Sequence, residues 1–419
     1  MEPAHTAMAS SASAEQRYLA LSRGLRTEHS SWETRSADAS QAPESAARSS
    51  RPMRTYGCIV FGATGFTGRR VMVELASSAQ GIRWAAAGRS RERVQAAVRD
   101  VGLVGMDIIT ADTTDRDSLL AMCAQTQVLI NCAGPFRFHG EPVVAACVAA
   151  QTDYVDITGE PEFIDRSELM FSHAAQAQNV QIVHCCGFDS VPADEGALFL
   201  AEQFGQCSAI ESFLQLRVDG REGFSLHSTT LECAVHGVKN ADSLKRVRRD
   251  LEAHRRLQTL PALGPKLKVK DFYWEDRMEA FAVKFPGSDA VVVRKSNLYR
   301  SARLQTPQVQ FAAYMVVGNW WNALRLGFHK SLIEGAVATD LGTDLVLKHP
   351  ALFTAGAFTH TGPKDSQMAA TSFAFDMYGA LEASGCADMA RVLAWHASLW
   401  SPALGLQSQR WAQTTYRAY

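Results

Sequence analysis

The sequence predicts an α/β protein, in which a doubly wound parallel sheet is followed by a second, α+β domain. Three observations predict this fold class. Short apolar runs alternate with amphipathic stretches from Tyr56 to about Phe204, and a row of three glycines follows the first run. Beyond Phe204 the pattern changes to alternating apolar and polar residues, which is typical of half-buried strands.

Length and composition limit the class of protein. The chain has 419 residues, of which 47% are apolar and 20% charged, and its formal net charge is -1. It is therefore long enough for two or three domains, and it lacks the overall positive charge expected of a nucleic-acid-binding protein. Its nine cysteines are scattered and odd in number, which predicts a reducing, intracellular setting. No His, Cys or acidic cluster has metal-ligand spacing, so no metal site is predicted.

Residues 1–54 are rich in Ser, Ala and Arg without apolar periodicity, and they are predicted to form a disordered N-terminal extension. Seven arginines suit an organelle-targeting segment, but six acidic residues do not, so targeting is left open.

The first domain is predicted to span residues 55–204. The apolar runs predict strands at 56–62, 82–88, 106–112, 127–134, 152–159 and 180–186. Helices are expected to begin near Thr67, Ser90, Asp115, Gly140 and Asp165. Near-continuous apolar strands separated by helices indicate a parallel sheet covered on both faces.

The second domain is predicted to span residues 205–360. Strands are expected at 213–219 and within 281–295, with one long helix from Ala241 between them. The basic face of this helix is interpreted as solvent-exposed, and the alternative is that it binds an anionic partner. Residues 361–419 are predicted to be helices that return to the first domain. The apolar stretch 309–328 is interpreted as a buried core helix. Its alternative is a membrane-surface helix anchored by Trp320 and Trp321.

The glycine row lies between a strand and a helix, the context in which such spacing indicates a dinucleotide site. Gly62 would make the tight turn, Gly65 would admit a pyrophosphate, and Gly68 would let the helix pack closely. The helix N-terminus adds partial positive charge. This motif predicts a Rossmann-type coenzyme cradle, with these residues binding the coenzyme: Gly62, Ala63, Thr64, Gly65, Phe66, Thr67 and Gly68.

The end of the second strand indicates which coenzyme binds. An NAD site usually has an acidic residue there, whereas this chain has Gly88, Arg89 and Ser90. The Arg89 fork can pair with a 2′-phosphate, which predicts NADPH, although a solvated loop charge is the alternative. Asp112, Gly134 and Pro135 end neighbouring strands and are added to the predicted coenzyme site. No tyrosine has a lysine four residues later, which excludes the short-chain dehydrogenase mechanism.

Four long motifs now stand in order: VFGATGFTGRRV, AAAGRSRERV, NCAGPFRFHGEPVVAACVAAQTDYVDITGE and HCCGFDSVPADEGA. In these the chain resembles the saccharopine dehydrogenase-like oxidoreductases, a group that includes bacterial trans-acting enoyl reductases. The resemblance implies an NADP-type Rossmann domain and a substrate domain. It also implies reduction of lipid precursors, as in glycolipid biosynthesis, and association with lipid droplets, membranes or mitochondria. A glycine-rich segment found near the C-terminus of relatives is absent, and Thr229 stands where they have glycine.

Candidate catalytic residues follow the sixth strand. Asp189 is predicted to relay a proton and Ser190 to position the substrate, with capping of the next helix as the alternative. Tyr154, Asp156 and Glu160 are interpreted as either functional or turn-stabilising.

The sequence thus predicts an NADPH-dependent oxidoreductase that transfers hydride to a hydrophobic or carrier-linked lipid-type substrate, either enoyl or keto. One alternative is a catalytically silent NADPH-binding scaffold at a lipid-droplet or membrane surface. Saccharopine reduction is a weaker alternative, because no feature demands an amino-diacid pocket. Peripheral membrane contact and a homodimer are left open.

Overall fold

A computed structural model describes residues 53–204, 207–218, 223–255, 257–381 and the backbone of 389–398. Almost all of the predicted N-terminal extension lies outside the described residues. The chain divides into two compact units. The first comprises residues 53–186 and 242–254, and the second comprises 187–241 and the described residues from 255 onward.

The first unit is built on a six-stranded parallel sheet of order β3-β2-β1-β4-β5-β6. This order confirms the doubly wound fold, because the strand sequence reverses direction beside β1. Its strands are β1 (Tyr56–Phe61), β2 (Trp84–Gly88), β3 (Asp107–Thr110), β4 (Thr126–Asn131), β5 (Asp153–Asp156) and β6 (Ile182–Val183). The connecting helices are α1 (Phe66–Ser78), α2 (Arg91–Asp100), α3 (Arg116–Cys123), α4 (Phe136–Ala150) and α5 (Pro161–Ala177).

Both faces of this sheet are covered, as the unbroken apolar runs predict. In β1, Ile59 and Phe61 contribute to one buried cluster, whereas Cys58 and Val60 contribute to another. Alternate side chains of a strand point to opposite faces, so one apolar run supplies both cores.

A helix from the middle of the chain completes the first unit. Helix α8 (Ala241–His254) contacts α5, where Arg248 pairs with Asp165 at 3.1 Å and the Ser243 hydroxyl donates to Glu162 at 2.7 Å. Leu251, on the apolar side of this helix, is buried. The basic face of this long helix is therefore partly engaged in an ion pair.

The second unit contains a mixed six-stranded sheet of order β14-β13-β7-β11-β10-β9. Its strands are β7 (Cys207–Val218), β9 (Phe272–Glu275), β10 (Ala280–Lys284), β11 (Gln310–Gly318), β13 (Thr371–Leu381) and β14 (Met389–Ser398), with β8 (Leu226–His227) and β12 (Phe358–Thr359) forming a separate pair. Its helices are α6 (Val191–Phe204), α7 (Ser228–Lys239), α9 (Asp289–Leu304), α10 (Trp320–Val337), α11 (Asp340–Lys348), α12 (Pro350–Phe353) and α13 (Asp365–Ala369).

Three expectations for this unit are wrong. Helix α6 belongs to the second unit and not to the first, because Ala193 and Leu200 pack with Phe375 in its core. The stretch 281–295 is a strand followed by a helix, since α9 begins at Asp289. Within the predicted helical stretch 361–419, β13 pairs with both β7 and β14, so most of its described part is sheet.

The apolar stretch 309–328 is also not a single core helix. It forms strand β11 and the start of helix α10, separated by a turn at Gly318, whose φ is 71°. The Asn319 side chain caps α10 by accepting from the Asn322 amide at 3.0 Å. Among the described residues, no helix is long and apolar enough to cross a bilayer.

Candidate functional site

The glycine turn after β1 packs directly on the loop after β4. Gly62 has φ +83°, and a Cβ there would lie 2.7 Å from the Ala133 amide nitrogen. A Cβ on Gly68 would collide with the Gly62 carbonyl oxygen, so α1 approaches the turn too closely for any other residue. Both glycines are therefore required by close backbone approach, and Gly62 also by its left-handed conformation.

The N-terminus of α1 has no side-chain cap. Its N-cap residue is Gly65, which has no side chain to cap the helix, and the first turn contains no acidic residue. The first amide groups of a helix lack carbonyl partners within it and carry partial positive charge. This end of α1, from Thr64 to Gly68, is thus suited to bind a phosphate group.

A polar pocket of about 310 Å³ lies beside this helix end. It is lined by Thr64, Arg89, Ser90, Arg93 and Asp112. The structure therefore brings together four of the residues predicted to bind the coenzyme and adds Arg93, which the sequence interpretation missed. Arg93 follows Arg89 by four residues in the GRSRER stretch, and this spacing was the signal that could have identified it.

Two residues of the pocket also have structural partners. The Ser90 hydroxyl accepts from the Arg93 amide at 3.2 Å as the N-cap of α2, and it donates to Glu92 at 2.8 Å. Asp112 accepts from the Thr114 amide and hydroxyl, and these bonds lower the pKa of its carboxyl. Asp112 is thus an ionised turn residue near Arg89, which further stabilises its charge.

The loop after β4 is held by side chains on both sides. The Asn131 amide oxygen accepts from the Ala133 amide at 2.9 Å, and the Gly134–Pro135 peptide is cis. Glu160 accepts from the Phe136 amide at 2.6 Å and from the Arg137 amide at 3.3 Å. The carboxylate of Glu160 therefore occupies the N-terminus of α4, in contrast to the open N-terminus of α1.

A buried hydrogen-bond network lies at the carboxyl ends of β4, β5 and β6. The Tyr154 hydroxyl accepts from Asn131 at 3.0 Å and donates to Asp156 at 2.9 Å, and Asp156 also bonds to His184 at 2.7 Å. The Ser167 hydroxyl lies 2.8 Å from the other ring nitrogen of His184. Asp156 also accepts from the Thr158 and Cys185 amides, so Asp156 and Glu160 fix backbone segments, which agrees with their turn-stabilising interpretation. The Tyr154 hydroxyl instead bonds to two side chains, those of Asn131 and Asp156.

Asp189 and Ser190 lie in the second unit, so the first unit alone does not contain the whole predicted site. Both Asp189 carboxyl oxygens lie 3.3 Å from the Ser288 amide nitrogen, which donates to them, and the Ser190 and Ser288 hydroxyls are 2.8 Å apart. Ser190 is 1% exposed. Its hydroxyl therefore joins two loops of the second unit.

The neighbouring Asp289 was missed by sequence reasoning. It is 1% exposed, and its Oδ1 atom has no hydrogen-bond partner. Burial, together with the charge of Asp189, raises the pKa of Asp289 to about 8, while burial raises that of Asp189 to about 6. The two carboxyl groups are a hundred residues apart in sequence, so only the fold reveals the pair.

The residues of the first unit fit a phosphorylated dinucleotide. A tight glycine turn, an open helix N-terminus and two pocket arginines match the pyrophosphate and the 2′-phosphate in charge. No acidic residue follows β2 directly, where one would bind an unphosphorylated ribose, because Arg89 occupies that position.

Comparison with known proteins gives a consistent result. Residues 58–183 match the saccharopine dehydrogenase NADP-binding domain. The chain is 34% identical over 342 residues to a human saccharopine dehydrogenase-like oxidoreductase, covering 78% of this chain and 79% of that protein. It is 31% identical over 341 residues to the lipid droplet localized protein of Caenorhabditis elegans, with 78% and 79% covered. A putative trans-acting enoyl reductase of Mycobacterium tuberculosis is 43% identical over 143 residues, which are 34% of each chain.

Proposed function

The chain belongs to the saccharopine dehydrogenase-like oxidoreductases, a family with an NADP-binding domain, and on this premise we propose that it is an active NADPH-dependent reductase. Its proposed substrate is a hydrophobic or carrier-linked lipid-type molecule that carries an enoyl or keto group. The observation that carries the proposal is the pocket of Arg89 and Arg93 beside the open N-terminus of α1.

The residues of the first unit have distinct tasks in this proposal. Amide groups at the N-terminus of α1 would bind the pyrophosphate, except that of Gly65, which donates to the Gly62 carbonyl at 3.0 Å, and Arg89 and Arg93 would bind the 2′-phosphate. Gly134 and Pro135, whose neighbours Ala133 and Phe136 are held by Asn131 and Glu160, would lie beside the ribose and nicotinamide. The bound coenzyme would supply the hydride, so the protein needs to orient the two reactants and provide a proton.

Asp189 is our candidate proton donor. Its raised pKa, about 6, leaves part of the carboxyl population protonated near neutral pH, which suits a general acid. Ser190 is buried and its hydroxyl is engaged with Ser288, so a positioning role through Asp189 suits it better than attack on the substrate. The reaction class rests on the partial similarity to a protein named as an enoyl reductase.

One experiment tests binding and turnover together. Purified protein is titrated with NADPH and NADH, and oxidation of the reduced coenzyme is then followed over a panel of enoyl and keto lipids, free and carrier-linked. Turnover of one panel member with NADPH supports the proposal. Asp189→Asn should then lower turnover without weakening NADPH binding. Asp194→Asn is the matched control, because Asp194 is also in this segment and bonds to Ser296 at 2.6 Å. Equal losses in the two variants would remove Asp189 from the mechanism.

A second candidate function is a catalytically silent NADPH-binding protein at a lipid surface. It is favoured by one observation, the exposure of Trp320 and Trp321 at 53% and 59% on helix α10. One relative is named for lipid droplets, which suggests that compartment, and mitochondrial or other membranes are alternatives. Tight NADPH binding without oxidation over the whole lipid panel would favour this candidate over the reductase.

A further inference from the structure

A serine and a histidine meet in the second unit, in elements that the proposed reductase does not use. The Ser228 Oγ atom lies 3.0 Å from the Nδ1 atom of His360, although the two residues are 132 positions apart in the chain. Ser228 follows strand β8 directly and begins helix α7, whereas His360 follows strand β12, which pairs in parallel with β8. Because parallel strands end on the same side, the small sheet brings the two side chains together.

The second ring nitrogen of His360 fixes the direction of this hydrogen bond. His360 Nε2 lies 3.2 Å from the Lys348 carbonyl oxygen, which can only accept, so Nε2 carries the ring proton. In the neutral imidazole Nδ1 is then the acceptor, and the Ser228 hydroxyl donates to it. A serine that donates to an imidazole oriented by a third group is the arrangement in which a nucleophilic serine meets its general base.

The neighbouring His227 has a different role. Its Nδ1 atom accepts from the Thr229 amide at 3.2 Å, so its side chain caps helix α7. Burial, and then the charge of a protonated His360, lower the pKa of the His227 ring, which therefore stays neutral at neutral pH. The base for Ser228 is thus His360 and not His227.

The position of Ser228 also suits attack on a carbonyl group. Ser228 is partly exposed and His360 is exposed, so a substrate can reach both. The Thr229 amide is engaged by His227, but the third amide of α7, that of Thr230, has no carbonyl acceptor within its own helix. Amide groups at a helix N-terminus stabilise a negatively charged oxygen, which is what attack by Ser228 on an acyl carbon creates.

We propose that Ser228 and His360 form a second reactive site, at which the acyl group of an ester or thioester is transferred to Ser228 and then to water. Oγ bonds to the acyl carbon while His360 Nδ1 takes the hydroxyl proton. The carbon–oxygen or carbon–sulfur bond to the leaving group then breaks, and the leaving alcohol or thiol takes that proton from His360. Water cleaves the acyl-serine ester with the same imidazole as base, which releases a carboxylic acid and restores Ser228.

This activity goes beyond the proposed reductase. It uses no coenzyme and changes no oxidation state, so its test and that of the reductase can fail separately. The alternative is that the hydrogen bond between Ser228 and His360 only ties β8 to β12, as the 3.4 Å contact between the Ser225 and Thr359 hydroxyls does. A structural tie needs no activated serine, so the property to measure is the reactivity of Ser228.

The test is reaction of the full chain with a fluorophosphonate, which bonds covalently to activated serines. We expect an adduct on Ser228, located by peptide mass spectrometry, and hydrolysis of p-nitrophenyl acetate. Ser228→Ala should abolish both reactions, and His360→Gln should slow both about 100-fold or more. The matched controls are Ser225→Ala and His329→Gln, which remove a serine that contacts a threonine and a histidine that bonds to the Phe353 carbonyl at 2.9 Å.

A thermal unfolding curve of each variant reports whether the protein is folded, and both controls should react like the parent protein. A Ser228 that stays unmodified in the folded parent protein would overturn the proposal, without the need for any variant. So would equal labelling rates in the parent protein and in His360→Gln, because Ser228 would then react without its base.

Discussion

Replacing Arg89 with alanine tests the coenzyme pocket at one defined point. Arg89 follows β2 directly and lines the pocket with Arg93. In the part of the chain that the structure describes, its guanidinium makes no hydrogen bond or ion pair, although Asp112 lies close enough to be stabilised by its charge. The substitution should therefore leave folding almost unchanged while removing a cation from the proposed 2′-phosphate site.

The expected magnitude follows from the charge and exposure of the site. A hydrogen bond to a charged group contributes about 1.5 to 3 kcal/mol, and about 1.4 kcal/mol corresponds to a tenfold change in Kd. Because Arg89 is exposed, solvent screens part of this energy. We expect NADPH binding to weaken roughly 10- to 100-fold, with NADH changed by less than about threefold, since NADH lacks the phosphate.

The assay is a calorimetric titration of each variant with NADPH and with NADH at low ionic strength. Arg91→Ala is the matched control, because Arg91 carries the same charge two residues away but donates to the Ile108 carbonyl at 3.0 Å and does not line the pocket. Arg93→Ala should behave like Arg89→Ala. If both side chains bind one phosphate, the double variant should lose less NADPH binding free energy than the sum of the losses in the two single variants.

Two results would refute this reasoning. Equal loss of NADPH and NADH affinity in Arg89→Ala would mean that the side chain shapes the pocket and does not bind the 2′-phosphate. A loss of NADPH affinity in Arg91→Ala as large as in Arg89→Ala would mean that only the general positive charge of this region matters.

Three further predictions concern the turn, the carboxyl pair and the buried network. Gly62→Ala should abolish measurable NADPH binding and lower the free energy of unfolding by about 1 to 3 kcal/mol, because the residue has φ +83° and its Cβ would clash with Ala133. A thermal unfolding curve and an NADPH titration equal to those of the parent protein would contradict this. The pKa of the Asp289 carboxyl is about 8 in the folded protein and near 3.8 in the unfolded chain, so the folded state holds this proton more tightly. The free energy of unfolding therefore falls as the pH rises from about 4 to 8. Relative to the parent protein, the Asp289→Asn variant should therefore gain on the order of 1 to 3 kcal/mol in free energy of unfolding between pH 5 and 8.5, measured by urea titration. Stability profiles of the two proteins that run parallel over this pH range would rule this out. Tyr154→Phe should cost about 1 to 3 kcal/mol, since Asn131 and Asp156 lose a buried partner, and a denaturation midpoint equal to that of the parent would disprove the network's contribution.

The first unit was predictable because its signals are local. Runs such as YGCIVFG combine β-branched and aromatic residues with a following glycine turn, and buried parallel strands need only this continuous apolar character. Each of the six strands of the sheet overlaps a predicted run, although β6 is only two residues long. The turn at Gly62 and the arginine after β2 follow from the same local context.

The second unit depends on tertiary contacts that no local pattern reveals. In 281–295, three consecutive valines favour a strand, but the chain turns helical at Asp289 because Val293 packs in the core with Phe311 and Ala313 of β11. The stretch 309–328 has enough apolar residues for one helix, yet Gly318 and the Asn319 cap divide it. The Asp189–Asp289 pair was likewise invisible, because its two loops meet only in the fold.

Ser90 illustrates how the structure sharpens the interpretation of a binding motif. Its place beside Arg89 suggests a hydroxyl for the phosphate, and it does line the pocket. Its oxygen, however, already accepts from the Arg93 amide and its proton is donated to Glu92. A phosphate that binds Ser90 must displace Glu92, whose own charge would repel it. We therefore propose that discrimination between the two coenzymes depends on Arg89 and Arg93. Ser90 is the N-cap of α2, the helix that carries Arg93, and its hydroxyl accepts from the Arg93 amide.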